Sequence, residues 1–467
     1  MTPTTRGGGR PPALAALLSF LWPGLGQFYE GKRRLGALFC IPAVLVVLLI
    51  AYNLRQGIAP LAARLAVDSA FAQPAILLIV LTGVLRVAAV LHAYLTGEPS
   101  RIRHRFQIAA AAALIVVIVV THAAAGYGLW FSHNALDPVF SPQQNPDLID
   151  QATPAPSLSF GVTPAPPTPT EAPATAVPID SRVTILLTGV DSAPTRGEHL
   201  YDSIMVISYD PKTNSVQMVS VPRDSASFPL YYGGVVTVNV RINSLPTYVR
   251  NGWVSSPDAP FTTLVKEVGY LVGIPINYYA VMDLGGFVKM IDMVGGIDVD
   301  NPSVIDDATY DWLGAKKGYG FALAPGPQHL DGINALAYVR SRHGSNNSDW
   351  ARASRQQEVM VSLLHKMSSP SQLLSLPNLI STLGASVSTT FPANLVGDYV
   401  AIGQSIPKDN FHQVVLGPPY TVTGLIGSGT AATTCLLNYK VAELSIQLFG
   451  KDSLWYGKPA PANTCPV

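Results

Sequence analysis

The sequence predicts an α/β domain preceded by a helical transmembrane region. Three observations predict it: long apolar runs up to residue 131, a Pro-, Thr- and Ala-rich stretch after them, and then short β-type runs alternating with amphipathic helical patterns. The mean hydropathy of +0.29 is high for a chain wholly in water. Lys+Arg (30) and Asp+Glu (29) nearly cancel over the 467 residues, which excludes an overall basic field for nucleic acid. An anionic ligand must then be held by local arginines.

Three stretches are long enough to span a bilayer: Leu35 to Leu54, about Pro74 to Leu95, and Phe106 to Phe131. An earlier stretch, Ala13 to Tyr29, is interrupted by Trp22-Pro23-Gly24 and reads as a short span, a re-entrant turn or an interfacial helix. Basic clusters at Lys32-Arg33-Arg34 and Arg101-Ile102-Arg103-His104-Arg105 belong on the cytoplasmic side by the positive-inside rule. The last span then runs outward, with either three spans and a cytoplasmic N-terminus or four and an outside one. Arg86, midway along a span, is expected to make a buried polar contact. Pro23-Gly24-Leu25-Gly26-Gln27-Phe28-Tyr29, Gly31, the basic residues after it and Gly36 resemble the TM2-type membrane hairpin and read as anchoring. No signal-peptidase site is evident, so the anchor is expected to be retained.

Residues 132–181 form the expected stalk, whose Thr163-Pro164-Ala165-Pro166-Pro167-Thr168-Pro169-Thr170 run favours polyproline II. Its reach is on the order of 100 Å.

Beyond the stalk, Val183 to Asp191 reads as a buried strand ending in a carboxylate. Ser203 to Tyr209 and Val216 to Val221 form a hairpin across the Asp210-Pro211-Lys212-Thr213-Asn214 turn, and Pro222-Arg223-Asp224 ends it. Asp191, Asp202, Arg223 and Asp224 thus gather at strand ends, where α/β folds carry their chemistry. Helices are predicted over Thr262 to Val272, Leu284 to Met293, and Ala335 to Val339, the last delivering Arg340-Ser341-Arg342. A long amphipathic helix opens at Asp349, and its Asp349, Arg352 and Gln356 share a face. Cys435 and Cys465, 30 residues apart, either pair, which fits an oxidising compartment, or remain thiols.

From Val183 to Met367 these blocks resemble the LytR-CpsA-Psr family. The resemblance implies an α-β-α sandwich around a mixed central sheet, outside the cell membrane over residues 182–420. It implies a phosphotransferase that moves a glycan phosphate from a polyprenyl pyrophosphate carrier to a wall acceptor such as peptidoglycan. It also implies Asp191 and Asp202 as ligands of Mg²⁺ or Mn²⁺. Arg223, Arg241, Arg340, Arg342, Arg352 and Gln356 would bind the pyrophosphate, with Arg223, Asp349 and Arg352 in the catalytic step. Guanidinium forks suit phosphate oxygens, and carboxylates suit a hard divalent cation. Val281, Leu284, Phe287, Met290, Ile291, Leu363 and Leu364 are candidates to line a lipid tunnel. The family's arginine two residues before the second metal aspartate is here Leu200, with Arg196 nearby, and its lysine before Ile-Asn is Arg241. Two other readings stay open: a polyprenyl-lipid-binding regulatory protein without turnover, and a polyprenyl pyrophosphatase. Residues 421–467 read as a C-terminal appendage, stapled if the two cysteines pair.

Overall fold

A computed structural model describes residues 11–96, 104–136, 139–140, 177–191, 200–236, 240–312, 319–343, 348–367, 383, 386–425 and 432–465. Arg101 to Arg103, Arg196 and the Pro-rich run at 163–170 lie outside these residues.

The N-terminal unit holds α1 (Pro12–Leu21), α2 (Leu25–Tyr29), α3 (Arg33–Asn53), α4 (Ile58–Val67), α5 (Ser69–Thr96) and α6 (His104–Leu136). Three of these, α3, α5 and α6, are long and apolar enough to cross a membrane. At 10 residues α1 reaches only about 15 Å, so the Ala13 to Tyr29 stretch is not one straight span. Trp22-Pro23-Gly24 breaks it, and Gly24 is required there: its φ is +97°, and a Cβ would come within 2.3 Å of the Gly36 carbonyl oxygen. Gln27, fully buried, donates to the Ala89 carbonyl (2.8 Å) and accepts from the Ser19 hydroxyl (3.0 Å). Arg86 donates to the Phe20 carbonyl at 3.1 Å, which meets the expectation of a satisfied polar contact in the last turn of α1. Helix α6 continues to Leu136, past the predicted start of the stalk.

The second unit is built on a six-stranded mixed sheet. Its strands are β1 (Val183–Asp191), β2 (Leu200–Asp210), β3 (Ser215–Ser220), β4 (Tyr278–Asp283), β9 (Val387–Thr389) and β10 (Phe411–Val415), in the order β10-β3-β2-β1-β4-β9. Strands β1 and β4 are parallel, as are β3 and β10, while β1–β2, β2–β3 and β4–β9 are antiparallel. Three two-stranded pairs complete the β structure. They join β5 (Ile297–Asn301) to β8 (Gly326–Leu330), β6 (Ile305–Asp311) to β7 (Tyr319–Leu323), and β11 (Thr421–Leu425) to β12 (Ala432–Leu436).

Helices cover both faces of the sheet. On one face α7 (Leu245–Arg250), α8 (Pro260–Val272) and α13 (Asn438–Phe449) bury Leu245, Phe261, Leu264 and Val441 against Leu186, Val190, Val206 and Val219. On the other lie α9 (Leu284–Met293), α10 (Gly332–Arg340) and α11 (Asp349–Met367), and Ile402, near the end of α12 (Val396–Ser405), packs with Ile406 in the cluster of Met205 and Met218. This is the α-β-α sandwich around a mixed sheet. Helices α9 and α10 are capped from side chains: Asp283 accepts from the Gly286 amide and Asp331 from the Asn334 amide. Gly332 lets α10 close on α9, since a Cβ there would meet the Val288 carbonyl oxygen at 2.2 Å.

The C-terminal residues pack on the domain: Leu436, Val441, Leu444 and Phe449 belong to the same core cluster as Leu186 and Phe261. Cys435 and Cys465 are disulfide-bonded, and the Leu454 amide donates to the Gly273 carbonyl at the end of α8. Burial of an apolar helix face, which local sequence pattern does not register, decided the membership.

Candidate active site

Parallel strands β1 and β4 finish side by side at Asp191 and Asp283, and antiparallel β2 begins at the same edge. The β1–β2 register shifts between Gly189 and Val190: Gly189 faces Ser203 and Val190 faces Tyr201, so Asp202 is the extra residue of a bulge. A bulge re-aims a side chain. Tyr201 is therefore fully buried beneath the sheet against Phe261, while Asp202 borders a cavity on the opposite side.

That cavity has a volume of about 440 Å³. Asp191, Asp202, Arg223, Arg241, Arg340, Arg342, Arg352 and Gln356, all singled out from sequence, border it together. Asp202 pairs with Arg223 at 2.7 Å and accepts from Asn243 at 3.3 Å. Asp224 bridges Arg223 (3.4 Å) and Arg241 (3.0 Å), which makes it the carboxylate that holds both guanidinium groups in place. Arg340 lies 3.8 Å from Asp191, and its Nη1 is buried without a hydrogen-bond partner among the described residues. Gln356 accepts from the Ser203 hydroxyl and donates to the Val339 carbonyl. Asp349 does not border the cavity; it sits just outside, 3.1 Å from Arg352.

The electrostatics favour an anion. Burial pushes the Arg352 pKa down, and repulsion from Arg223 and Arg342 adds to the fall against the pull of Asp349. Burial also opposes the charge on Arg223, but Asp202 and Asp224 outweigh it and hold that pKa above the ordinary value. The buried Arg352 guanidinium and the half-buried Arg223 one repel each other, and beside Arg340 with its unpartnered N–H they gain from an anionic ligand placed between them.

The other end of the cavity is apolar. Val281, Leu284, Phe287, Met290 and Leu363 border it as expected, joined by Met205, Leu336, Val359 and Met360. Two tunnel candidates do not. Ile291 is fully buried within the α9 core, and Leu364, one position on from Leu363 along α11, is turned outward and 39% exposed. Leu200, where the family's arginine is expected, also borders the cavity.

Two positioning residues escaped the sequence reading. Asp307, buried on β6, accepts from the Ser341 hydroxyl (3.0 Å) and from the Arg342 (3.3 Å) and His343 (3.2 Å) amides. Burial alone raises a carboxyl pKa, yet these donors and Thr309 hold Asp307 below the usual range. Arg355 donates to the Tyr338 and Ser341 carbonyls from α11, and burial lowers its pKa to about 10. Together they fix the turn that aims Arg340 and Arg342. Their partners lie 14 to 36 positions away, beyond the reach of local periodicity.

Fold and cavity define the class: an α/β sandwich with apolar helices before it and a pocket that is cationic at one end and apolar at the other. The sequence profile of the LytR_cpsA_psr family matches residues 167–424, more than half of the chain, and the chain belongs to that family. It is 31% identical over 206 residues to the polyisoprenyl-teichoic acid–peptidoglycan teichoic acid transferase TagV of Bacillus subtilis (strain 168), across 44% of this chain and 49% of the relative. With the transferase TagU of Bacillus mycoides (strain KBAB4) it shares 33% identity over 218 residues, across 46% of this chain and 62% of the relative. The chain thus spans about half to three fifths of the length of these curated relatives. Among solved structures it is similar to B. subtilis TagV (TM-score 0.46, 24% identity, 59% of this chain and 98% of that one). It is also similar to TagT bound to LI-WTA (TM-score 0.44, 20% identity, 57% and 89%).

Proposed function

We propose that this protein is a membrane-anchored, extracytoplasmic transferase that moves a glycan phosphate from a polyprenyl pyrophosphate carrier to a hydroxyl of a cell-wall acceptor. The observation that carries this reading is the two-ended cavity. Five guanidinium groups, set among the carboxylates of Asp191, Asp202, Asp224 and Asp283, suit a pyrophosphate, and the apolar end suits the prenyl chain attached to it. The relatives' transferase names support the same reading.

Arg223, Arg241, Arg340, Arg342 and Arg352, with Gln356, bind the pyrophosphate oxygens. The acceptor oxygen forms a bond to the sugar-proximal phosphorus while the bond from that phosphorus to the bridging oxygen breaks, and polyprenyl phosphate leaves. Asp349, at the cavity's outer edge, accepts the proton of the acceptor hydroxyl or steadies Arg352. Arg223 and Arg352 offset charge developing on the equatorial and bridging oxygens.

Asp191 and Asp202 fit a hard divalent cation, Mg²⁺ or Mn²⁺. Among the described residues no group of three or more His, Cys, Asp or Glu side chains is arranged for a metal, so two carboxylates would be completed by phosphate oxygens, as Mg²⁺ prefers. Such a cation would supply Lewis-acid neutralisation of the pyrophosphate. Leu200 removes one cation from the rim, so the remaining arginines carry more of that charge, as would a cation held by Asp191 and Asp202.

The test is a purified full-length chain given a polyprenyl pyrophosphate glycan, Mg²⁺ and peptidoglycan. Covalent glycan on the acceptor, lost on chelation and in Asp202→Ala, is expected. Acceptor-independent phosphate release would make it a pyrophosphatase instead, and tight lipid binding without turnover a binding protein.

A further inference from the structure

Beside the cavity lies a second concavity of about 390 Å³, lined by Arg342, His343, Asp349, Trp350, Thr423 and Thr434. Its chemistry is the reverse of the lipid end. Among the described residues no aliphatic side chain lines it, and it combines hydroxyl, carboxylate, imidazole and guanidinium groups with the indole of Trp350. An aromatic ring for the C–H face of a pyranose, surrounded by donors and acceptors for its hydroxyls, is a carbohydrate-binding composition.

Shared residues tie this cleft to the reaction centre. Arg342 borders both cavities. Asp349 and Trp350 also line a narrow recess together with Asp202, Arg223 and Arg352. The apolar residues Leu284, Phe287 and Met290 do not border the cleft, so it meets the site at its cationic end.

The cleft is also rigidly built. Gly417 backs Trp350 so closely that a Cβ there would approach the indole to 3.1 Å. Thr423 and Thr434 are cross-strand partners on β11 and β12, so their side chains share one face. Thr434 is pinned beside the catalytic arginine, its amide donating to the Asp224 carbonyl (3.2 Å) and its carbonyl accepting from the Ala226 amide (2.8 Å). The next residue, Cys435, is bonded to Cys465. Thr434 lies beyond residue 424, where the family match ends.

We propose that this cleft is the acceptor subsite, that a sugar of the wall glycan stacks on Trp350 with its hydroxyls toward Thr423 and Thr434, and that the disulfide-held C-terminal hairpin selects the acceptor. The proposal rests on the transferase reading. Asp349, which faces the cleft and touches Arg352, then stands between the acceptor hydroxyl and the phosphate it attacks.

Full-length chains carrying Trp350→Ala, Trp350→Phe or Thr423→Arg test it, Thr423 being exposed on the hairpin. Two measurements are made: binding of a β-1,4-linked N-acetylglucosamine tetramer without donor, by calorimetry, and transfer kinetics with peptidoglycan. Trp350→Ala and Thr423→Arg are expected to weaken tetramer binding and raise the acceptor KM by roughly tenfold, with the donor KM within about twofold. Trp350→Phe restores most of the loss. Absence of tetramer binding to the unsubstituted chain, equal binding by all variants, or parallel shifts in donor and acceptor KM overturns the subsite. If the unsubstituted chain binds the tetramer, the variants do not, and no glycan is ever transferred, the subsite stands and the transferase reading falls.

Discussion

On the side of the sheet covered by α8 and α13, Tyr201, Phe228 and Phe261 are fully buried, and Leu186, Val206 and Val219 fill the space between them. On the opposite side, alternate residues of the same strands, Leu187, Gly189, Ser203 and Met205, border a cavity. Strand alternation lets one element serve both faces: one set of alternate side chains builds a solid layer and the other a hollow. The solid face carries the stability that a hollow lined by mutually repelling arginines consumes. Close packing of rigid aromatics suits the first, and flexible methionines (Met205, Met282, Met290, Met360) suit the wall of the second.

The comparison breaks most visibly if the two faces fail to separate stability from turnover. Arg223→Ala leaves Asp202 without its ion-pair partner and is expected to lower kcat for transfer by about a thousandfold while the melting temperature moves little. Phe261→Ala, on the solid face, should cost about 3–4 kcal/mol in denaturant unfolding and leave the donor KM unchanged at a temperature where the chain stays folded.

A smaller effect concerns a carboxyl buried in the solid face. Glu267 is fully buried on α8; burial pushes its pKa up to about 8, opposed only by the Tyr231 amide it accepts from at 3.1 Å. Its folded value lies above its unfolded one, so its contribution is complete below about pH 4.5 and is lost as pH rises toward 8. The melting temperature should therefore fall by roughly 3 °C or more between pH 5 and 8, and Glu267→Gln should flatten that slope. An unchanged slope in the variant would mean that another group governs it.

The smallest expected effect sharpens the hollow side. Met360→Trp fills part of the apolar end and should raise the donor KM by roughly tenfold, with the acceptor KM and the unfolding midpoint nearly unchanged. A loss of stability without a change in donor KM would show that the apolar end is ordinary core.

Sequence alone determined the elements and the chemistry they carry. The apolar runs, the strand from Val183, the helix opening at Asp349 and the arginine set were legible because periodicity and residue type are local properties. Eight of the nine expected site residues border one cavity; the ninth, Asp349, lies against its outer edge. Tertiary structure decided the rest. The bulge that turns Asp202 away from Tyr201 is a matter of register between two strands. Asp307 and Arg355 aim Arg340 and Arg342 across tens of residues, and the C-terminal helix belongs to the central core because it buries Val441 and Leu444 there. Each of these depends on which distant backbone and side chains meet, and that is set by burial and hydrogen-bond satisfaction over the whole fold rather than by neighbours in sequence.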